Sequence, residues 1–370
     1  MARTILDVHV LQTVPPSNLN RDDTGSPKSA RYGGVVRARV SSQAWKRAAR
    51  TAFTDLLDAS ELGVRSKRLV ELIGDAIAAQ DPSLADRQAE LAKAVLTAVG
   101  IKVSPPKGRK ELPEESGYLV FLSAHQISAL AALGVEHARS GETIDKKAAR
   151  RAADTEHSVD VALFGRMVAE DTDLNVDASA QVAHAISVHA VENEYDYFTA
   201  VDDHKNADEE QDAGAGMIGT VEFNSSTLYR YATVDVDRLR DNLGSDPKAA
   251  RRAVEAFVRA FVLSMPTGKQ NTFANRTLPD AVLLVLRETQ PINLVGAYEE
   301  PIGDGARIPQ AIERLATHAE EVRAAYGEKP VAAWTFGPGE RLAPLAEIAE
   351  RADIDTTIAA VGEAVAARLS

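Results

Sequence analysis

The chain has 370 residues, of which 45% are hydrophobic and 5% aromatic, and its formal net charge at pH 7 is −12. This length is enough for one large core with insertions or for two domains. Cysteine is absent, which excludes disulfides, thiol catalysis and Cys-ligated zinc or iron–sulfur sites. The sequence shows no apolar leader and no stretch of membrane-span length, so we expect a cytoplasmic protein without a membrane partner.

The charge is distributed unevenly along the chain. Residues 21–50 contain eight Arg and Lys side chains and only Asp22 and Asp23 as acids, so this segment carries +6 while the rest of the chain sums to −18. A compact basic segment on an acidic chain indicates a surface that binds an anion, such as nucleic-acid phosphate. The alternative is a basic face that is merely solvated.

The N-terminal part of the chain predicts a strand, a loop, a strand and a helix. Apolar and polar residues alternate over 4–14 with the period of a half-buried strand, and 36–40 alternates in the same way with arginines on one face. Between them, 15–34 is rich in Pro, Ser, Asn, Asp and Gly, and loops of that length inside a domain are usually functional or disordered. Two serines then provide the N-cap of a helix over 43–57.

The middle of the chain predicts a helical insertion and a hairpin. Residues 61–157 are rich in alanine and charge and indicate three or four helices, interrupted by a polar stretch at 104–117. Alternation predicts a strand over 158–167, whereas 182–191 fits a helix or a strand. Residues 192–223 have the pattern of a hairpin, and we expect its acidic, Gly- and Ala-rich tip to be mobile.

The remaining part predicts more strands and helices. A strand is expected over 228–236, a helix over 247–263 and a buried strand over 281–286, followed by a mostly helical portion over 301–370. Helices inserted among strands that return later are typical of an α+β fold rather than a doubly wound one. A ferredoxin-like core of the RNA-recognition type is one such fold, and periodicity alone does not select it.

The helix after Ser42 carries the strongest local signal. Lys46, Arg47 and Arg50 share one helical face because they are three or four residues apart. Cations are unfavourable near a helix N-terminus, where unpaired N–H groups are already partly positive, unless an anion lies nearby. With the hydroxyls of Ser41 and Ser42, this turn is a candidate phosphate cradle. An exposed basic face tolerated at small cost is the alternative.

Eight runs of sequence resemble one known family, in the same order along the chain. They are 17–23 (SNLNRDD), 32–34 (YGG), 39–47 (RVSSQAWKR), 160–167 (DVALFGRM), 183–186 (AHAI), 198–203 (FTAVDD), 218–223 (IGTVEF) and 228–232 (LYRYA). The chain resembles the CasC-type backbone subunits of type I-E CRISPR Cascade complexes, which belong to the repeat-associated, RNA-recognition-like superfamily. The resemblance covers about residues 4 to 290, and the C-terminal part carries no matching motif.

The resemblance implies a hand-shaped α+β subunit with a modified ferredoxin-like (RNA-recognition-motif-like) palm. The implied parts are palm segments 1–60, 158–191 and 224–300, helical fingers 61–157, a β-hairpin thumb 192–223 and a mostly helical C-terminal portion 301–370. Subunits of this family polymerise along a guide RNA (crRNA) without cutting it, together with other Cascade subunits. They present the guide for pairing with target DNA.

The resemblance also implies which residues contact RNA. The implied backbone contacts are Arg21, Lys28, Ser41, Gln43, Lys46, Arg47 and Arg50, and Arg39 and Ser42 belong to the same basic run. Arg166, Met167 and Ile218 correspond to the place where a guide nucleotide is displaced at regular intervals. A filament that accepts any guide has to bind phosphates and leave sequence to base pairing. The low aromatic content agrees, because no base-stacking platform is needed.

Some of these residues also have ordinary structural explanations. Met167 and Ile218 are equally suited to packing in a core. Lys269, in the loop 268–272, has the Gly- and Thr-rich surroundings of a phosphate contact but lacks the spacing of a Walker motif. It stays a candidate contact beside the basic segment.

An enzymatic alternative rests on two adjacent carboxylates. Asp22 and Asp23 have the chemistry to hold Mg²⁺ beside a phosphate, as in a metal-dependent ribonuclease of the same superfamily. They are equally suited to pairing with Arg21 or capping the loop. His184 and His189 are five residues apart, which is not the spacing of a helical zinc pair, and we expect them to be ordinary core or surface residues. We therefore expect no catalytic residue, no metal site and no cofactor.

Overall fold

A computed structural model describes residues 3–106, 113–168, 172–200 and 217–369. Its strands are β1 Ile5–Ser17, β2 Ser29–Tyr32, β3 Val35–Val40, β4 Gly63–Ser66, β5 Val103–Ser104, β6 Glu115–Ser116, β7 Val120–Ser123, β8 Ala180–Val182, β9 Ala185–Ser187, β10 Glu194–Ala200, β11 Met217–Asp235, β12 Ala281–Arg287, β13 Ala332–Phe336 and β14 Glu350–Arg351. Its α-helices are α1 Ser42–Ala52, α2 Leu69–Gln80, α3 Gln88–Val99, α4 Ala124–Ser140, α5 Lys146–Asp154, α6 Val159–Phe164, α7 Val236–Asn242, α8 Pro247–Leu263, α9 Gln270–Phe273, α10 Arg307–Tyr326, α11 Ala343–Ala346 and α12 Ile354–Leu369. The predicted α+β class is confirmed. In these ranges, none of the helices is long and apolar enough to cross a bilayer.

The chain divides into two compact units. The sheet unit comprises Met1–Ala49, Val182–Thr233 and Val258–Ala360. The helical unit comprises Arg50–Gln181, Val234–Phe257 and Val361–Ser370. The segment 61–157 therefore lies in the helical unit, and so do residues 158–181, which the family resemblance assigns to the palm.

The sheet unit is organised around one large sheet. Its strands follow the order β14-β13-β12-β1-β11-β9-β3-β2, and β8 and β10 also pair with β11. β1 pairs antiparallel with β12, and β3 pairs antiparallel with β9 with Val40 opposite Ala185. The segment 182–191, which fitted a helix or a strand, thus contributes the strand β9. The C-terminal portion is mostly helical as predicted, and it also adds β13 and β14 to one edge of the sheet.

The predicted hairpin is present as β10 and the first part of β11. The two strands pair antiparallel from Glu194 opposite Phe223 to Ala200 opposite Met217. β11 then continues without interruption through the strand predicted over 228–236. The expected mobile tip lies outside the described residues.

The central strand β1 is buried on both faces, whereas the sequence predicted a half-buried strand. Its polar residues Asp7 and His9 are fully buried. Asp7 accepts hydrogen bonds from Arg287 Nε at 2.8 Å and from the Tyr231 hydroxyl at 2.8 Å. Arg287 also pairs with buried Glu328. Apolar and polar residues do alternate along β1. The polar side chains face an internal ion cluster rather than water, because α10 packs on that side of the sheet.

The helical unit has its own apolar core. Leu69, Ile73 and Ile77 recur every four residues on α2 and are fully or almost fully buried against apolar residues of α3 and α4. The side chains of Ser123 and Gln126 form a capping box at the start of α4. The described part of 61–157 thus contains the predicted helices, α2 to α5. The polar stretch lies between α3 and α4, and its residues 107–112 are outside the described ranges.

The strand predicted over 158–167 is wrong, because this segment forms the short helix α6. The Ala162 N–H donates to the Ser158 carbonyl at 2.8 Å, which is a helical contact. The alternation misled because the intervening Asp160 is also buried, at 1% exposure. It accepts a hydrogen bond from the Gly63 N–H at 3.0 Å. A six-residue helix buried on all sides has no polar face to reveal its period.

The buried ion cluster leads to a stability prediction. Arg287→Ala should lower the free energy of unfolding by about 3–5 kcal/mol, because Asp7 and Glu328 would stay buried without their cation. Urea unfolding followed by circular dichroism measures the change. Arg307→Ala, which removes an exposed pair with Asp304 at 3.1 Å, is the control and should have little effect. Equal losses in the two variants would contradict a special role for the buried cluster.

His9 provides a pH-dependence prediction. Burial, reinforced by the charge of Arg287, lowers the pKa of His9 to about 3 from a usual value near 6.5. Below pH 6.5 the unfolded chain therefore binds a proton that the folded chain refuses, so stability is lost as the pH falls towards 3. The slope is about 1.4 kcal/mol per pH unit. His9→Gln should reduce the slope of the unfolding free energy against pH, between pH 4.5 and 6, by up to about 1.4 kcal/mol per pH unit. Identical slopes in the two proteins would contradict the lowered pKa of His9.

Candidate nucleic-acid interface

The long loop after β1 is ordered by its own polar residues. The Asn18 amide donates to the carbonyls of Gly25 and Glu222, both at 2.9 Å, which ties the loop to β11. Asp22 Oδ1 accepts from the Thr24 N–H at 2.9 Å, the Thr24 hydroxyl at 2.7 Å and the Ser26 N–H at 3.0 Å. The Thr24 hydroxyl bond, followed by these backbone bonds, lowers the pKa of Asp22. The loop therefore has a defined shape.

Lys28 and Arg39 lie next to each other at the base of this loop. The Lys28 N–H donates to the Asn20 carbonyl at 2.9 Å, and the Arg39 N–H donates to the Lys28 carbonyl at 2.8 Å. Arg39 Nε also donates to the Ser29 carbonyl at 3.1 Å, which fixes its guanidinium beside the first residue of β2. Both side chains are partly exposed, and Arg21 at the start of the loop is exposed. Three of the predicted RNA contacts, Arg21, Lys28 and Arg39, thus lie on or beside the loop that follows β1.

The start of α1 is joined to the same turn. The Ser41 N–H donates to Asn20 Oδ1 at 2.8 Å, and Ser41 Oγ accepts from the Ala44 N–H at 3.3 Å, which confirms Ser41 as an N-cap acceptor. The first turn of α1 contains no acidic residue. Gln43 is exposed and Ser42 partly exposed at the beginning of the helix.

The basic face of α1 lies opposite a buried aromatic anchor. Trp45 is 1% exposed, and the buried Arg230 guanidinium lies 3.7 Å from the centre of its ring. Arg230 donates to Gln12 Oε1 at 2.6 Å, and burial lowers its pKa to about 9. With Trp45 anchored in this way, the side chain of Arg47 is exposed. Lys46 is half-buried, and this burial lowers the pKa of its ammonium group.

His184 completes the cluster, although from the sequence we expected only an ordinary core or surface histidine. The pairing of Val40 with Ala185 brings residue 184 beside the beginning of α1. The Ser42 N–H donates to His184 Nδ1 at 3.2 Å, and Arg39 Nη1 lies 3.4 Å from the same atom. Burial, followed by the charges of Arg39 and Lys28, lowers the pKa of His184. Only the β3–β9 register places His184 here, and no local sequence signal reports that register.

Lys269 lies on a loop that packs against the same region. A Cβ on its neighbour Gly268 would lie 2.2 Å from the Leu19 carbonyl oxygen, so only glycine allows this approach. Lys269 itself has a left-handed backbone, with φ of 50°, and a partly exposed side chain. The structure therefore places this candidate contact next to the loop that carries Arg21.

Arg50 does not share the environment of Lys46 and Arg47. Its Nε donates to Asp160 Oδ2 at 3.1 Å, and its guanidinium lies 4.4 Å from the centre of the Phe121 ring. These partners belong to the helical unit. Arg50 therefore has a structural partner in a buried carboxylate, and its RNA contact stays a prediction from the family resemblance.

Arg166 and Met167 have opposite environments. Arg166 is buried and donates to the carbonyls of Leu174 at 2.6 Å and Ala153 at 3.0 Å, and it pairs with Asp154 at 2.9 Å. These donors are used inside the helical unit, so the structure explains Arg166 without RNA, and its RNA contact stays a prediction from the family resemblance. Met167 is 83% exposed and is therefore not the core residue that its apolar side chain would suggest. Ile218 lies in β11 opposite Thr199, and its side chain is outside the described part.

The first of the two adjacent carboxylates, Asp22, has a structural explanation. Asp22 caps its own loop through the three hydrogen bonds described above, which is one of the two alternatives that the sequence allowed. Among the described residues, no group of three or more His, Asp or Glu side chains is arranged to hold a metal ion.

Comparison with known proteins identifies the family. The Cas_CT1975 family model, described as CT1975-like protein, matches residues 6–361. The chain belongs to this family. A chain of a structure described as "CRISPR RNA-guided surveillance complex, pre-nicking" is similar with a TM-score of 0.82 at 36% identity, covering 96% of this chain and 99% of that chain. A chain of a second structure, described as "CRISPR RNA-guided surveillance complex", has a TM-score of 0.72 at 30% identity, with 96% and 99% coverage. No curated protein matches the sequence.

The environment of His184 is testable without any ligand. Arg39→Met removes one of the two cations that face the imidazole, so the pKa of His184 should rise towards its usual value. A proton NMR titration of the imidazole signals measures this change. Arg31→Met changes the net charge equally but removes a side chain whose contact is with the Gly34 carbonyl, and it should leave the titration unchanged. An unchanged His184 titration in Arg39→Met would contradict the geometry described here.

Proposed function

We propose that this CT1975-like protein is a guide-RNA-binding subunit of a CRISPR surveillance complex, of the CasC type found in type I-E Cascade. In this proposal it holds crRNA by its phosphates. The observation that carries the proposal is the cationic cluster formed by Arg21, Lys28, Arg39 and Arg47 around the start of α1, on a chain whose net charge is −12. The likeness to chains of RNA-guided surveillance complexes supports the same function.

The chemistry of the cluster suits backbone recognition. Lys and Arg side chains donate hydrogen bonds and carry full positive charge, so they bind phosphate oxygens without discriminating between bases. The hydroxyls of Ser41 and Ser42 and the amide of Gln43 add neutral groups at the same helix end. Such a surface accepts any guide sequence, which leaves sequence recognition to base pairing with the target DNA.

The units of the fold can be assigned to the parts of a hand-shaped subunit. The sheet unit would be a ferredoxin-like palm, the helices α2 to α5 the fingers and the β10–β11 hairpin the thumb. Copies of the chain would then polymerise along crRNA beside the other subunits of the complex. The high exposure of Met167 supports a role as an apolar wedge at a displaced nucleotide, because an apolar side chain that contacts solvent is available to a ligand. Ile218 is assigned the corresponding role on the thumb from the family resemblance alone.

The proposal includes no catalytic role for the chain. Asp22, the first carboxylate of the ribonuclease alternative, is engaged in capping its own loop. Incubation of the assembled complex with labelled crRNA and Mg²⁺ tests this part of the proposal. Full-length RNA should be recovered, and cleavage that disappears in Asp22→Asn or Asp23→Asn would overturn it.

The RNA-binding role is tested with the double variant Arg21→Ala, Arg47→Ala. It should weaken binding to a repeat–spacer RNA and to an unrelated RNA by similar factors, roughly tenfold or more per lost contact at low salt. The slope of log Kobs against log salt concentration should decrease in magnitude by about 1.4, since each phosphate contact to a single strand contributes about 0.7. Fluorescence anisotropy with labelled RNA measures both quantities.

The matched control removes two exposed cations elsewhere in the sheet unit. Lys329 is exposed, and Arg351 lies in β14, at the opposite edge of the sheet from β2. Lys329→Ala with Arg351→Ala changes the net charge equally and should retain the salt slope of the unmodified protein. A loss confined to one RNA sequence, or an equal loss in the control, would contradict backbone recognition by the cluster.

A further inference from the structure

The tautomer of His184 is determined by its two neighbours at Nδ1. A backbone N–H, that of Ser42, and the guanidinium of Arg39 both approach this atom, at 3.2 and 3.4 Å. Neither group has a lone pair to offer, so Nδ1 has to be the acceptor. The ring proton therefore lies on Nε2, and the imidazole is neutral.

The opposite side of the ring is open to a ligand. His184 is exposed, and within the described residues no acceptor for its Nε2–H is found. The charged groups that face the ring are Arg39 on β3 and Lys28 in the preceding loop, both cations. In the described ranges neither of them has a carboxylate partner. A hydrogen-bond donor that lies between two cations without carboxylate partners is suited to bind an anion.

We infer that His184 donates its Nε2–H to an RNA phosphate that Lys28 and Arg39 also contact. This inference rests on the proposed function and adds a contact residue that the basic segment does not contain. A neutral donor suits this position, because a third cation would face Lys28, Arg39 and the first N–H of α1. The same ring also holds the Ser42 N–H through Nδ1. His184 therefore links the bound phosphate to the start of the helix that carries Arg47.

Two conservative variants separate the two sides of the ring. His184→Asn places an amide oxygen near the position of Nδ1, so it retains the acceptor for Ser42 but has no group at the position of Nε2. His184→Gln places an amide nitrogen near the position of Nε2 and retains the outward donor. We expect His184→Gln to bind single-stranded RNA almost as well as the unmodified chain and His184→Asn to bind roughly tenfold more weakly. Anisotropy titrations of the full chain at fixed salt concentration measure both affinities.

A purely structural role for the ring predicts the reverse order. His184→Asn would then bind RNA like the unmodified chain and His184→Gln would be the weaker variant. That result, or equal affinities in the two variants, overturns the inference. Thermal unfolding of both variants checks that any loss of binding is not a loss of folding.

NMR spectroscopy can observe Nε2 of His184 directly in the unmodified chain. With ¹⁵N-labelled histidine, the free protein should show the Nε2–H tautomer of His184, and addition of a short single-stranded RNA should shift the Nε2 resonance and raise the pKa of the ring. A protonated Nδ1 in the free protein, or an unchanged Nε2 resonance in the RNA-bound protein, overturns the inference.

The outcomes also distinguish this inference from the proposed function. If the unmodified chain binds RNA and Arg21→Ala with Arg47→Ala weakens binding while His184→Asn does not, the function stands and only the His184 contact fails. If the unmodified chain binds no RNA alone or in the assembled complex, both fail.

Discussion

The candidate interface depends on the antiparallel pairing of β3 with β9. With Val40 opposite Ala185, this pairing brings His184 to the beginning of α1 and next to the guanidinium of Arg39. A slip of one residue would turn each side chain of β9 to the other face of the sheet and separate His184 from Ser42. Correct register in this one strand pair is therefore a condition for the contacts of His184 with Ser42 and Arg39.

Arg37 secures that register from inside the protein. It is fully buried, and its guanidinium donates to the carbonyls of Ser187 at 3.0 Å, Tyr298 at 2.9 Å and Glu299 at 3.0 Å. These bonds connect β3 to β9 and to the segment before α10. A close approach at Gly33 supports them, because a Cβ there would overlap the Glu299 carbonyl oxygen, at 1.6 Å. A basic residue that counts towards the charge of the N-terminal segment thus serves as a structural cross-link.

The sequence predicted the main elements but could not separate binding arginines from structural ones. The strands β1 and β3 and the helices α1 and α8 follow from local periodicity, which short-range interactions determine. The internal contacts of Arg37, Arg50 and Arg166 do not, because an arginine becomes a structural residue when carbonyl and carboxylate acceptors from distant segments converge on its five donors. His184 was missed for the same reason, since its role arises from a strand pairing between residues about 145 positions apart. The half-buried period of β1 was misleading because its polar side chains meet an ion cluster contributed by residues 287 and 328.

The packing of Trp45 has a consequence for how the protein can be observed. The chain contains two tryptophans, and Trp45 lies on α1 directly before Lys46, with the Arg230 guanidinium 3.7 Å from its ring centre. Indole emission responds to the charges around the ring. Replacing Trp334 by Phe would leave a single fluorophore within the helix whose other face carries the basic residues. The protein therefore contains an intrinsic optical reporter of the state of α1, which needs no attached dye and no alteration of the cationic surface.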